Sequence, residues 1–189
     1  MSYALLASGG VRVYRRRGHV RSGSPATHEI RKIEAADKPG FYRELHAQAE
    51  GLLHGERDAI ANAANLSALV YDAVADLNWA GFYFFRTPEE LVLGPFQGKV
   101  ACVRIPVGRG VCGSAVAEGR SQLVPDVHAF PGHIACDAAS RSELVVPLIR
   151  DGAVLGVLDL DSPTPGRFTA EDRAGFEALA ELYVAGSDI

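Results

Sequence analysis

The chain has 189 residues, an ordinary balance of 48% apolar and 22% charged residues, and a formal net charge of -4. That length buries a full core and holds one domain with an extension, and the charge argues against a dominant nucleic-acid footprint. No apolar run approaches the roughly 20 residues needed to cross a bilayer, and three cysteines, an odd number, exclude a complete structural disulfide framework.

Residues 1–33 differ from the rest. Arg12, Arg15, Arg16, Arg17 and Arg21 accumulate there, no acidic residue precedes Glu29, and Gly9, Gly10, Gly18, Gly23 and Pro25 break any periodic pattern. Transit peptides share this composition but carry an amphipathic helix that this segment lacks. It reads as an Arg-rich flexible extension, or as a start assigned too far upstream, and the domain proper is expected over 34–189. Without a secretory signal, the chain is expected to be cytoplasmic, where neighbouring cysteines more often mean catalysis or metal than a staple.

After Pro39, Phe41, Leu45, Leu52 and Leu53 recur at helical spacing. A second helix is predicted from about Glu56 to Asn78, with Ile60, Ala64, Ala68, Tyr71 and Val74 as its apolar face. Trp79 to Phe85 is dense in aromatics and predicts a strand. Leu91 to Phe96 and Val100 to Pro106 predict two more, and Gly108-Arg109-Gly110 a turn. A short helix is predicted over Val111 to Glu118, starting near Cys112, then a brief strand over Gln122 to Val124. Pro125 to Ser142 loses periodicity; loops that long in a compact domain are usually functional. Glu143 to Arg150 and Ala153 to Asp161 predict a hairpin around Asp151-Gly152. Thr169 and Asp172 resemble a capping box opening a last helix through about Val184. The order predicts an α+β fold, an antiparallel sheet flanked by helices.

Chemistry concentrates in one stretch. Cys102, Cys112 and Cys136 are the chain's three cysteines and lie within 35 residues of one another. Filler cysteine would be scattered; grouping points to redox or metal chemistry. A thiol with a pKa near about 8.5 is about 3% ionised at pH 7, and lowering it by two units gives about 75%. Cys112, at a helix start beside Arg109, and Cys136, near His133 and Arg141, both have features that favour a thiolate. Cys102, in the predicted strand, suits a resolving partner. The rival is zinc held by His128, His133 and Cys136 with Cys102 or Cys112, but no C-x-x-C is present and the spacing matches no strong zinc pattern.

Acids form a second constellation. Glu143 opens one hairpin strand, and Asp159 and Asp161 lie two apart on the other, on one face. They read either as a strand end running into solvent or as a pocket for the ammonium of a small ligand. In such a pocket a carboxyl raised by like-charged neighbours would donate a proton.

The stretches N-W-A-G-F-Y, L-V-L-G-P-F-Q-G-K-V-A-C-V-R-I-P-V-G-R-G-V-C-G, D-V-H-A-F-P-G-H-I-A-C-D-A-A-S-R-S-E and G-V-L-D-L-D-S resemble the GAF-domain free methionine-(R)-sulfoxide reductases. The match runs from about Lys38 to Val184. The resemblance implies reduction of free L-methionine (R)-sulfoxide, thioredoxin as reductant, a homodimer, and neither cofactor nor metal. It implies Cys136 as the attacking thiol and Cys102 as its resolving partner, with the role of Cys112 unassigned. It also implies Glu143, Asp159 and Asp161 as substrate-binding acids and Trp79 and Tyr83 as aromatic pocket walls; as strand aromatics, these two also read as core. Most GAF domains are small-molecule sensors, the alternative reading, which the chain's ending soon after its last helix disfavours.

Overall fold

The computed structural model describes residues 4–8, 11–15, 30–132 and 137–189, the first two stretches as backbone only. His133 and Cys136 lie outside the described residues, as do Arg16, Arg17 and Arg21 of the extension. Within the extension, β1 (Ala4–Ser8) and β2 (Val11–Arg15) pair antiparallel in a sheet of their own. The sequence pattern predicts no strands there, because the flanking glycines interrupt the alternation in V-R-V-Y-R.

The approach to α1 (Lys38–Leu53) is held by a reciprocal pair, in which Arg31 N donates to Gln48 Oε1 at 3.2 Å and Gln48 Nε2 donates to Arg31 O at 2.9 Å. Asp37 caps α1 by accepting from Gly40 N at 2.7 Å. α2 (Ala59–Ala73) is capped by Asp58, which accepts from the amides of Ile60 and Ala61.

The sequence misplaces two features of α2. The helix stops at Ala73, well before Asn78, and its buried face is Ala63, Leu66, Leu69 and Val70. Of the expected apolar face, Ile60, Ala64, Ala68 and Tyr71 are exposed, and Val74, just past the helix end, is buried. Both sets have helical spacing, but the observed one packs Leu66, Leu69 and Val70 together into the core, whereas the predicted one sets two alanines between Ile60 and Tyr71.

The main sheet has six strands in the order β5-β4-β3-β8-β7-β6, every neighbouring pair antiparallel. They are β3 (Trp79–Thr87), β4 (Glu90–Gly98), β5 (Arg104–Pro106), β6 (Gln122–Val124), β7 (Ser142–Arg150) and β8 (Ala153–Ser162). α3 (Gly110–Glu118) follows β5, and α4 (Ala170–Gly186) closes the fold behind the predicted Thr169–Asp172 capping box. The β7–β8 hairpin turns at Asp151 (φ 51) and Gly152 (φ 79), both left-handed, as the Asp-Gly signal requires.

Strand alternation divides the interior into two cores. Ala80, Phe82, Phe84, Leu144, Val146, Leu148, Leu158 and Leu160 face α1, α2 and α4. The alternate residues Trp79, Tyr83, Val145 and Val157 face α3 and the loop segments, with Ile105, Val111, Cys112 and Val127. The order and packing are those of an α+β fold. One predicted strand is mostly absent: Val100 to Val103 is irregular, and β5 begins only at Arg104. Val100 and Val103 are exposed, and the Cys102 carbonyl accepts from the Tyr83 hydroxyl at 3.0 Å. Cys102 therefore sits in a loop, not on a strand. The Pro125 to Ser142 loop is partly ordered by a 3-10 turn at Val127–Ala129, capped by Asp126.

Candidate active site

On the second face, β3, β8 and β7 set their alternate residues in register. Trp79 pairs with Asp161, which pairs with Glu143; one row on, Gly81 pairs with Asp159, which pairs with Val145; the next row begins with Tyr83 and Val157. Two adjacent rows thus place three carboxyl groups beside two aromatic rings, because period-two strands keep residues 79, 81 and 83 on one face with 159 and 161. Gly81 leaves the space that the rings fill. A Cβ there would come within 2.4 Å of Phe96 Cβ and 2.7 Å of Trp79 Cη2. The indole stacks on Tyr83 (centroids 5.8 Å apart) and on Phe96 (5.3 Å), and its Nε1 donates to Lys99 O at 3.1 Å.

These residues line a cavity. Its wall includes Trp79, Tyr83, Glu143, Asp159, Asp161 and Cys112, completed by Ala101, Ile105 and the α3 start at Gly110 and Val111. Five of the eight residues singled out from sequence are Trp79, Tyr83, Glu143, Asp159 and Asp161, and the fold brings all five together with Cys112. Cys102 lies beside the cavity, next to the lining residue Ala101, and is disulfide-bonded, while Cys112 is a free, buried thiol.

Electrostatics in the cavity favour protons. Burial pushes Asp159 up to about 7, even though hydrogen bonds from Cys112, Glu143 and the Leu160 amide act in the opposite direction. Glu143 is raised well above the usual carboxylate range by burial and then by the charges of Asp159 and Asp161. Asp161, half-buried, rises by burial and the charge of Asp159, against a hydrogen bond from Ser140. Among the described residues, Asp159 Oδ1 is buried without a hydrogen-bond partner. A buried acceptor left so costs about 1–3 kcal/mol, which a ligand donor would recover.

Cys112 behaves opposite to the sequence expectation. It does open a helix, but burial raises its pKa, followed by the charges of Asp159 and Glu143; its Sγ lies 4.0 Å from Glu143 Oε1. Arg109, expected to help, is exposed to solvent. At close range in a buried site the carboxylates outweigh the helix dipole, which is worth about 0.3–1 kcal/mol.

The sequence missed the polar residues beside the acids. Asn78 Nδ2 donates to Asp137 Oδ2 at 3.2 Å and Ser140 Oγ at 3.0 Å, and Lys99 Nζ lies 3.5 Å from Asp137. Hydrogen bonds from the Ala139 amide first, then from Asn78 and Lys99, hold Asp137 below the usual carboxylate range. These contacts fasten the end of the long loop beside the cavity, which Asp137 and Ser140 also line. Lone polar residues on loops carry no motif; the one available signal was their position next to Cys136 and Trp79.

The zinc set weighed from sequence is not assembled among the described residues. His128 is exposed, with its Nδ1 3.1 Å from Asp126 Oδ1, and Cys102 is in a disulfide rather than a thiolate. A different trio, Cys112, Glu143 and Asp159, has one ligand atom from each residue within 4.8 Å of the others.

A GAF domain profile matches residues 61–185. The free methionine-R-sulfoxide reductase of Escherichia coli (strain K12) is 55% identical over 143 residues, 76% of this chain and 86% of that protein. The free methionine-R-sulfoxide reductase of Saccharomyces cerevisiae is 45% identical over 153 residues, 77% of this chain and 85% of the other. The X-ray structure of free methionine-R-sulfoxide reductase from Neisseria meningitidis in complex with its substrate superposes with a TM-score of 0.81. It is 45% identical and covers 85% of this chain and 95% of that one.

Proposed function

The chain belongs to the GAF-domain free methionine-R-sulfoxide reductase family, and we propose that it works as an oxidoreductase that reduces free L-methionine (R)-sulfoxide to L-methionine. What carries this reading in the geometry is the gathering of Glu143, Asp159 and Asp161 under the Trp79–Tyr83 stack, beside a disulfide at Cys102. The rings accept the methyl-sulfur end of the substrate. Ionised Asp159 receives the α-ammonium at its open Oδ1, and its charge keeps protons on Glu143 and Asp161. A residue in mid-chain lacks that ammonium and would leave the acids unsatisfied, which selects the free amino acid.

In the proposed cycle the Cys136 thiolate attacks the sulfoxide sulfur while Glu143 or Asp161 protonates the departing oxygen. The protonated oxygen passes from the substrate sulfur to the Cys136 sulfur as the bond between the two sulfurs breaks, so methionine leaves with its sulfur reduced by two electrons and Cys136, oxidised by two, becomes a sulfenic acid. The Cys102 thiol condenses with it, forming a disulfide and releasing water. A dithiol of the thioredoxin class then reduces the disulfide by exchange. Of the three cysteines, Cys112 is free and has a raised pKa while Cys102 is disulfide-bonded, which favours Cys136 as the partner of Cys102 and disfavours Cys112 as attacker.

We extend the proposal to a homodimer and to a reducing, cytoplasmic setting. Ile60, Ala64, Ala68 and Tyr71 form an exposed stripe on α2 that offers a surface for a second copy. Among the described residues no helix is long and apolar enough to cross a membrane.

The test is a single turnover: reduced protein is mixed with free methionine sulfoxide and no reductant. About one methionine per subunit and a disulfide that includes Cys136 are expected. Binding without methionine release would replace the enzyme with a ligand sensor. Activity retained in Cys136→Ser but lost in Cys112→Ser would reassign the nucleophile.

A further inference from the structure

We propose that Cys112, Glu143 and Asp159 form a site for a soft divalent cation of the zinc class, and that filling it blocks the amino-acid pocket. Each residue offers one ligand atom, and the three atoms lie within 4.8 Å of one another. Cys112 Sγ and Glu143 Oε1 are 4.0 Å apart. Bond lengths of about 2.3 Å to sulfur and about 2.0 Å to oxygen set tetrahedral ligand atoms about 3.5 Å apart, so small side-chain rotations close the site.

The three ligands come from packed elements: the first turn of α3 and two hydrogen-bonded strands, β7 and β8. The independent observation is Asp159. Its side chain is 6% exposed and lines the cavity, and its Oδ1 has no hydrogen-bond partner among the described residues. A buried acceptor in that state points to a missing donor or cation. The fourth position faces the cavity, where water completes the coordination.

The donor set selects the metal. One thiolate with two carboxylates suits zinc, whereas magnesium and calcium call for six or more oxygens. Binding changes no oxidation state. Sulfur–metal bonding releases the thiol proton to solvent, along with any proton held by Glu143 or Asp159, so affinity rises with pH. Because Cys112 stays a free thiol while Cys102 is oxidised, the site persists in the disulfide form of the protein. Blocking follows because the cation takes the place proposed for the substrate ammonium; that consequence rests on the proposed substrate, and the binding does not.

The experiment uses the oxidised, metal-free protein, in which Cys112 is the free thiol among the described cysteines. Cobalt(II) titration is followed by the thiolate-to-cobalt charge-transfer band, and zinc uptake by equilibrium dialysis. One zinc per chain is expected, binding more tightly at about pH 8 than at about pH 6. Cys112→Ser should lose the cobalt band, and Cys112→Ser and Asp159→Asn should each weaken zinc binding by at least about tenfold. In turnover assays zinc should raise KM for methionine sulfoxide and leave kcat unchanged. Absence of the band in the wild-type protein, or zinc uptake unaltered in both variants, would overturn the site. Zinc that binds as expected but leaves KM unmoved would overturn the blocking. If the wild-type protein binds zinc and turns over no methionine sulfoxide, the cation site stands and the reductase reading fails.

Discussion

Two buried aspartates show how differently the two faces of this fold treat a negative charge. Asp172, at the start of α4, is 1% exposed and fully attended: Lys38 Nζ lies 2.5 Å away, Tyr42 OH donates at 2.8 Å, and Thr169 N donates at 2.7 Å. Burial pushes its carboxyl up, but the hydrogen bonds of Lys38, Tyr42 and Thr169 more than offset that, and its pKa is lowered. Asp159 is almost as buried, shares its cavity with three further acids, and is raised to about 7. The first aspartate holds helix to helix. The second is costly to the free protein, the signature expected of a binding site.

Removing each carboxylate separates the two roles and gives the largest expected effects. Asp159→Asn should lower kcat/KM for methionine sulfoxide by at least about 100-fold, because the ammonium loses its charged partner. Urea denaturation of that variant should show stability unchanged or raised by up to about 1 kcal/mol. Asp172→Ala should do the reverse, costing about 2–3 kcal/mol through the lost capping box and the stranded Tyr42 hydroxyl, with kcat/KM per folded molecule retained. Equal losses of stability in both would erase the distinction.

Neighbours on one strand sharpen it further. Leu160 is fully buried on the helix face, next in sequence to Asp159 and Asp161 on the cavity face. Leu160→Ala should cost about 2–5 kcal/mol by cavity formation while leaving KM near the wild-type value. A large rise in KM at unchanged stability would mean that the two faces are not independent.

The comparison also predicts a pH dependence of opposite sign for the two aspartates. Asp159 is raised in the folded state from 3.8 to about 7. The folded protein therefore binds more protons than the unfolded chain in that window, and stability falls as pH rises through it. Glu143 and Asp161, also raised, act in the same direction. Asp172 is lowered, so its contribution is present above 3.8 and lost as pH falls below it. The urea midpoint should decline from about pH 5 to about pH 8 in the free protein, less steeply in Asp159→Asn, and less steeply with bound methionine. A flat profile in the wild-type protein would show that folding does not raise the pKa values of the three acids.

Local chemistry made much of this legible in the sequence. The Asp151-Gly152 turn and the Thr169–Asp172 box are short-range devices whose residues determine their own geometry. The period of two in G-V-L-D-L-D-S fixed which carboxyls share a face. Features set by distant partners were not legible. Val100 to Val103 reads as a strand, yet Tyr83 captures the Cys102 carbonyl from the middle of the sheet. Cys112 has the local features of an activated thiol, yet Glu143, 31 residues away, and Asp159 reverse the effect. α2 offers two apolar stripes, and only packing against the sheet decides between them.

Tyr83 offers the finest test, because it belongs to both functions of the cavity face. Its ring is 1% exposed in the second core, and its hydroxyl holds the loop of Cys102 through one hydrogen bond of 3.0 Å. Tyr83→Phe keeps the ring stack and removes only that bond. Stability should fall by about 1 kcal/mol, the net worth of one such bond. If the bond positions Cys102, the stopped-flow rate of disulfide formation after methionine release should slow by a few fold, while methionine release itself keeps its rate. Slowing of both steps together would instead place the hydroxyl at the substrate, since a loop tether has no reason to affect attack at the sulfoxide.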